Sequence, residues 1–256
     1  MASNRAKAIV ATWGIVLGAS ICHAQDVVDG FAARTFVGAN GGRMPYRIFV
    51  PDAQQRLRPL PIVIYLHGSG GIGTDNLRQI SGGNTNGTHV WVTSHAQARH
   101  PAFVVAPQLP EGHRWDARGT DGIAPYARLV IELLGSLSHQ FAIDLDRVYL
   151  TGQSLGGFGT WDLITKRPEL FAAAVPLCGA GTLSLARAAR TVPIWVFHGA
   201  KDDAVPVAGS REMVAALRAV GSAVKYSEYP EVGHDVWTVA YVERDLPDWL
   251  FGQKRG

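Results

Sequence analysis

Gly152-Gln153-Ser154-Leu155-Gly156 sets a serine between two glycines, directly after the apolar run 147–151 and ahead of a helix-forming stretch. A G-x-S-x-G in a strand-to-helix context bends the chain so sharply that the serine hydroxyl stands above the strand end. Side chains two residues to either side would crowd that turn. The following backbone N–H, that of Leu155, then points to where an oxyanion would form. A hydroxyl of ordinary acidity is a weak nucleophile, so it needs a base, and the base needs an orienting acid. Downstream, "FHGAKDDAVP" (197–206) carries the adjacent acids Asp202 and Asp203, and "YPEVGHDVW" (229–237) carries His234. His198 is a second imidazole, but at a strand end it more readily satisfies local backbone groups. Glu231 and Asp235 read as surface charges beside His234.

A second glycine-rich stretch, "YLHGSGGIG" (65–73), has Gly68, Gly70 and Gly73 at the spacing of a dinucleotide fingerprint. That fingerprint requires a helix opened by the last glycine and an acid on the following strand. Here the chain turns polar after Gly73, and "WVTSHAQAR" (91–99) holds no Asp or Glu. The glycines instead suit a bend that brings backbone donors to a reaction site, with the Ser69 N–H beside that of Leu155. His67 is expected to fix this bend by hydrogen bonding. The Ser69 hydroxyl lacks the elbow that would expose it as a nucleophile.

These groups must be held by a rigid scaffold, and the chain is punctuated like an alternating α/β domain. Short β-branched runs at 61–67, 102–107, 147–152 and 193–199 read as strands buried on both faces, with further strands at 171–177 and 224–230. Helical periodicity covers 123–137 and 211–220. The expected layer order is helix, sheet, helix, with Ser154, the acid and His234 arriving at one carboxyl edge. The polar stretch 75–91 reads as a loop or surface excursion. Only "CGAGTLSLARAAR" separates the strand at 171–177 from the next, which leaves no room for a large cap domain.

The 256 residues, 47% of them hydrophobic, suit one catalytic domain over 25–256. Residues 1–24 read as a signal peptide: Arg5 and Lys7, an apolar stretch from Ile9 to Ile21, and small residues before a cut after Ala24. The chain is therefore expected to be exported, to the periplasm or the extracellular space. Cys22 would leave with the leader and Cys178 would remain as a lone thiol. The formal charge of +3 falls to +1 once Arg5 and Lys7 are removed. A balance so near neutral argues against nucleic acid as a partner.

With these residues in place, the chain resembles bacterial α/β-hydrolases of the carboxylesterase and predicted-peptidase type, related to feruloyl-esterase and polyhydroxybutyrate-depolymerase-like enzymes. The likeness rests on "YLHGSGG" (65–71), "APQLPEGHRWD" (106–116), "LTGQSLGGFGTWDLITKRPELFAAAVPLCGAG" (150–181), "FHGAKDDAVP" and "YPEVGHDVWTVAY" (229–241). It extends from about residue 35 to the C-terminus. It implies an α/β-hydrolase fold with a mostly parallel sheet and a Ser154–Asp202–His234 triad, Asp202 being favoured over Asp203 by the H-G-x-x-D-x-x-V-P pattern. Where relatives commonly have methionine, Leu155 stands here, a change that leaves the backbone donor intact.

The implied chemistry is acyl transfer from a small or carbohydrate-linked carboxylic ester, with peptides or polyesters as alternative substrates of the same triad. Trp115, Gln153 and Trp237 are expected at the substrate cleft, and Trp161 in the core. No cofactor and no catalytic metal are expected, since the sequence holds no H-E-x-x-H and no close His/Cys cluster; His89, His95 and His100 sit between strands, where they could approach one another. The expected partner is a small or polymer-attached ester, without a stable membrane partner. Oligomeric state is left open by the sequence.

Overall fold

The computed structural model describes residues 26–117, 120 and 122–256. The signal-peptide expectation for residues 1–24 lies outside the described residues.

The apolar runs become a single nine-stranded sheet: β1 (Val27–Val28), β2 (Phe31–Val37), β3 (Arg43–Phe49), β4 (Leu60–Leu66), β5 (Phe103–Pro107), β6 (Ile143–Gln153), β7 (Ala173–Leu177), β8 (Trp195–Gly199) and β9 (Lys225–Tyr229). Their spatial order is β1-β2-β3-β5-β4-β6-β7-β8-β9. β1, β2, β3 and β5 pair antiparallel, whereas every pairing from β5 through β4 to β9 is parallel. Every residue of β4, β5, β7 and β8 is buried, as continuous apolar runs in a two-sided sheet should be.

Alternation along these strands feeds two cores. Leu60, Ile62, Ile64 and Leu66 of β4 pack into one, while Val63 and Tyr65 pack into the other. The helices, in chain order, are α1 (Thr85–His89), α2 (Ser94–Arg99), α3 (Pro125–Gln140), α4 (Leu155–Lys166), α5 (Ala208–Ala219), α6 (Trp237–Ala240) and α7 (Leu246–Phe251). α3, α4 and α5 send Leu133, Leu163 and Met213 into the first core; α6 and α7 send Ala240, Leu246 and Leu250 into the second. This is an α/β-hydrolase architecture. The connection from β7 to β8 holds only a short 3₁₀ segment, Leu183–Ala189, and no large cap.

The stretch 75–91 departs from its reading as a surface excursion. It folds into two 3₁₀ turns, Arg78–Ile80 and Gly82–Asn84, followed by α1, and Ile80, Asn84, Thr88 and Trp91 are buried. Its polarity serves internal hydrogen bonds: Asn84 Oδ1 accepts from Tyr65 Oη at 3.0 Å and from Gly68 N at 3.1 Å.

Candidate active site

β6 ends at Gln153, α4 begins at Leu155, and Ser154 is the whole of the turn between them. Its backbone sits at φ 52° and ψ −116°, a conformation that costs a non-glycine residue on the order of 1–3 kcal/mol. Neighbouring hydrogen bonds hold it there: Ser154 N donates to Leu177 O at 3.0 Å, and Phe158 N donates to Ser154 O at 3.1 Å. The flanking glycines are required by close backbone approach. A Cβ on Gly152 would lie 2.5 Å from Gly156 O, and one on Gly156 only 1.8 Å from Leu66 O.

His234 follows β9 in the loop before α6, and its Nε2 is 2.9 Å from Ser154 Oγ. Its Nδ1 is 2.8 Å and 3.0 Å from the two Asp202 carboxylate oxygens. A carboxylate only accepts, so Nδ1 carries the hydrogen and Nε2 is left to accept from the serine hydroxyl. The Asp202 side chain is fully buried beyond β8, and its Oδ1 accepts from Ala204 N at 3.0 Å and Val205 N at 2.8 Å. Asp203 is exposed, so its carboxylate faces solvent while that of its neighbour faces His234. Glu231 pairs with Lys201 at the surface, and Asp235 is exposed. His198 makes no contact with Ser154; its Nε2 lies 2.9 Å from Val205 O.

Two backbone donors adjoin the serine. Leu155 opens α4, and Ser69 opens the 3₁₀ turn Ser69–Gly71 at the end of β4; first-turn N–H groups have no acceptor within their own helix. The loop carrying Ser69 is fixed by His67, whose Nδ1–H donates to Gly68 O at 2.6 Å while Nε2 accepts from Leu109 N at 2.9 Å. Burial pushes this imidazole down to about 4, which keeps it neutral in the tautomer that both bonds require.

Ser154 and His234 open into a cleft of about 490 Å³ whose walls include Ser69, Arg78, the turn Gly82–Asn84, Gln153 and Trp237. Trp237 stands edge-on to His234, with ring centroids 5.3 Å apart and planes at 86°. Gln153 Nε2 donates to Gly83 O at 2.9 Å, tying that turn to the serine elbow.

Trp115 does not belong to this wall. It is fully buried, its Nε1 donates to His67 O at 3.1 Å, and its ring packs edge-on against His67 at 5.2 Å. The expectation of a pocket wall is therefore corrected to a core residue beneath the Ser69 loop, where the His67 carbonyl satisfies the indole N–H. Trp161 is in the core.

Sequence reasoning missed Arg78 and Asn84. Arg78 Nε is 3.0 Å from Asp75 Oδ2, and Asn84 Nδ2 donates to the Arg78 carbonyl at 3.0 Å. Both reach the cleft through a long polar turn whose fold carries no periodic signal. Of the histidines considered for metal, His89 pairs with Asp29 and His100 with Asp248. Among the described residues, Cys178, Asp202 and His234 present potential ligand atoms within 4.8 Å of one another. Cys178 is buried, however, and the Asp202 oxygens already accept from several donors.

The family model for phospholipases and carboxylesterases matches residues 53–242. Among solved structures, a thermostable esterase superposes with a TM-score of 0.84 at 38% identity, covering 89% of this chain and 64% of that one. A bifunctional acetylxylan esterase/xylanase from Neocallimastix patriciarum is 33% identical over 89 residues, 35% of this chain. An uncharacterized secreted protein from Arthroderma benhamiae is 26% identical over 246 residues, 80% of this chain. The chain spans only 13% and 25% of the lengths of these two curated relatives.

Proposed function

The chain belongs to the phospholipase/carboxylesterase family, and from that premise we propose that it is a serine carboxylic-ester hydrolase acting through an acyl-enzyme on small or carbohydrate-linked esters. The observation that carries this reading is the unbroken line from Asp202 through His234 to Ser154 at 2.8 Å and 2.9 Å. In the first half-reaction His234 Nε2 takes the Ser154 proton as Oγ bonds to the ester carbonyl carbon. The oxyanion so formed accepts from the N–H groups of Leu155 and Ser69. The ester C–O bond then breaks, and the leaving alcohol takes the proton from His234. A water molecule enters, gives its proton to Nε2 and its oxygen to the acyl carbon, and Ser154 leaves reprotonated.

The cleft of about 490 Å³, bordered by Trp237 and the 78–84 turns and with no large cap domain between β7 and β8, supports a small or sugar-linked ester over a long acyl chain. The match to a bifunctional acetylxylan esterase/xylanase supports the same class. Export is supported by a secreted relative, and among the described residues no helix is long and apolar enough to cross a membrane.

A fluorophosphonate probe followed by peptide mapping is expected to label Ser154, and Ser154→Ala to abolish both labelling and turnover of p-nitrophenyl acetate. A kcat/KM series over acetyl, butyryl, octanoyl and palmitoyl esters, methyl ferulate, acetylated xylan and a peptide amide tests the substrate class. Labelling confined to Ser69 would overturn the mechanism, preference for palmitoyl the substrate class, and preference for the amide the esterase reading.

A further inference from the structure

Acyl transfer by Ser154, His234 and Asp202 makes no direct use of His198, the penultimate residue of β8 and a fully buried imidazole four positions before Asp202. Its Nε2 lies 3.2 Å from Asp202 Oδ2 and 2.9 Å from Val205 O. A carboxylate and a carbonyl only accept, so Nε2 bears a hydrogen; it goes to Val205 O, with Asp202 Oδ2 alongside at 3.2 Å. Its Nδ1 lies 2.8 Å from Ser210 Oγ, on α5, which is also 3.0 Å from Gly179 O.

Burial lowers the affinity of this imidazole for a proton, which favours the neutral ring. The single hydrogen of the Ser210 hydroxyl has two acceptors within reach, Gly179 O and, in the neutral ring, Nδ1. Nε2 keeps its hydrogen in either arrangement, because only acceptors face it.

The Asp202 carboxylate needs such a donor. It is fully buried; the N–H groups of Ala204, Val205 and His234 Nδ1 donate to it, and His198 Nε2 lies 3.2 Å from Oδ2. Oδ1 takes the N–H groups of Ala204 and Val205, while Oδ2 faces His234 Nδ1 and His198 Nε2. An anion kept out of water depends on donors aimed at it, and their directions fix its orientation.

We propose that His198 is a positioning residue for the triad, its Nε2–H anchoring the Asp202 carboxylate so that Oδ2 stays aimed at His234. The acid thus lies between two imidazoles, one that exchanges a proton with Ser154 and one that does not. This inference rests on the esterase reading. The other charged or titratable groups facing His198 are His234, across Asp202, and Glu228, its register partner on β9. Hydrogen bonds from Arg211 and Tyr226 hold the Glu228 carboxyl down at about 2. Glu228 is therefore a constant anion in the working range and contributes no titration step of its own there.

The test compares His198→Phe, which keeps a ring but no donor, with His198→Gln, whose amide N–H reaches toward the Nε2 position. Turnover of p-nitrophenyl acetate is followed from pH 5 to 9, with Ser154→Ala as the reference for the esterase reading. In His198→Phe, kcat is expected to fall roughly 10- to 100-fold, the range for one hydrogen bond to a charged group, with KM little changed. The acid limb of the kcat/KM profile should move to higher pH, because a carboxylate with one donor fewer holds an imidazolium more tightly. His198→Gln should return the limb to its wild-type position.

A uniform loss at every pH with the limb unmoved, or a wild-type profile in His198→Phe, would overturn the inference. Turnover retained by Ser154→Ala would instead overturn the reading beneath it. Should His198→Phe fail to fold, ¹⁵N spectra of the histidine-labelled wild type decide. A neutral Nε2–H ring at position 198 throughout pH 6–8 supports the inference, and an Nδ1–H tautomer there refutes it.

Discussion

Two adjacent aspartates follow β8, and the direction of the turn decides between them. The N–H groups of Ala204 and Val205 converge on Asp202 Oδ1 and draw that side chain inward to His234, which leaves Asp203 in solvent. No property of the residue types distinguishes the pair; only the backbone path does. Asp202→Asn is therefore expected to lower kcat by roughly 10³- to 10⁴-fold, since an amide can steer the imidazole into the wrong tautomer, while Asp203→Asn stays within about twofold. Steady-state kinetics on one short ester checks both, and a silent Asp202→Asn would move the acid elsewhere.

At the scale of elements, legibility followed burial. β4, β5 and β7 are apolar throughout, and β8 all but His198, because helices cover both faces, so the sequence displays them as nearly unbroken runs. β2, "FAARTFV", mixes buried with exposed positions in the antiparallel part of the sheet, and no unbroken apolar run marks it. The serine elbow was legible for a different reason, since its glycines are dictated by close backbone approach, to Gly156 O within the turn and to Leu66 O on the neighbouring strand. Trp115 was misjudged because a tryptophan in a loop carries no periodicity; only the bond to His67 O reveals its place. The elbow's tightness gives a paired test. Gly156→Ala puts a methyl 1.8 Å from Leu66 O and should cost about 3 kcal/mol through forced movement of α4 against β4. Gly135→Ala, on the exposed side of α3 with no atom within 4 Å of the new methyl, should stabilise by up to about 1 kcal/mol. Thermal denaturation reads both, and equal shifts in the same direction would refute the packing argument.

For the whole molecule, the buried imidazoles set how stability answers to acid. His67 is held neutral by donating from Nδ1 and accepting at Nε2, and protonating Nε2 would set its hydrogen against the Leu109 N–H. Its value near 4 in the folded state lies below the ordinary value of about 6.5 that the unfolded chain regains. Between those limits the unfolded state binds a proton that the folded state refuses, so stability is full above about pH 6.5 and drains as pH falls toward 4. The loss is about 3 kcal/mol when complete. His198, also lowered by burial, adds in the same direction. The urea midpoint should therefore be flat from pH 8 to 7 and decline steadily below 6.5. In His67→Asn it should start lower at pH 8, for want of the Leu109 bond, and decline less steeply. Because His67 also anchors the loop that carries the Ser69 N–H, the same acid titration should loosen the proposed oxyanion donor. In the wild type, irreversible loss of turnover on incubation at pH 4.5 should then track the fall in urea midpoint. A midpoint constant from pH 6.5 to 4.5, or an equal slope in His67→Asn, would place the acid sensitivity outside this imidazole.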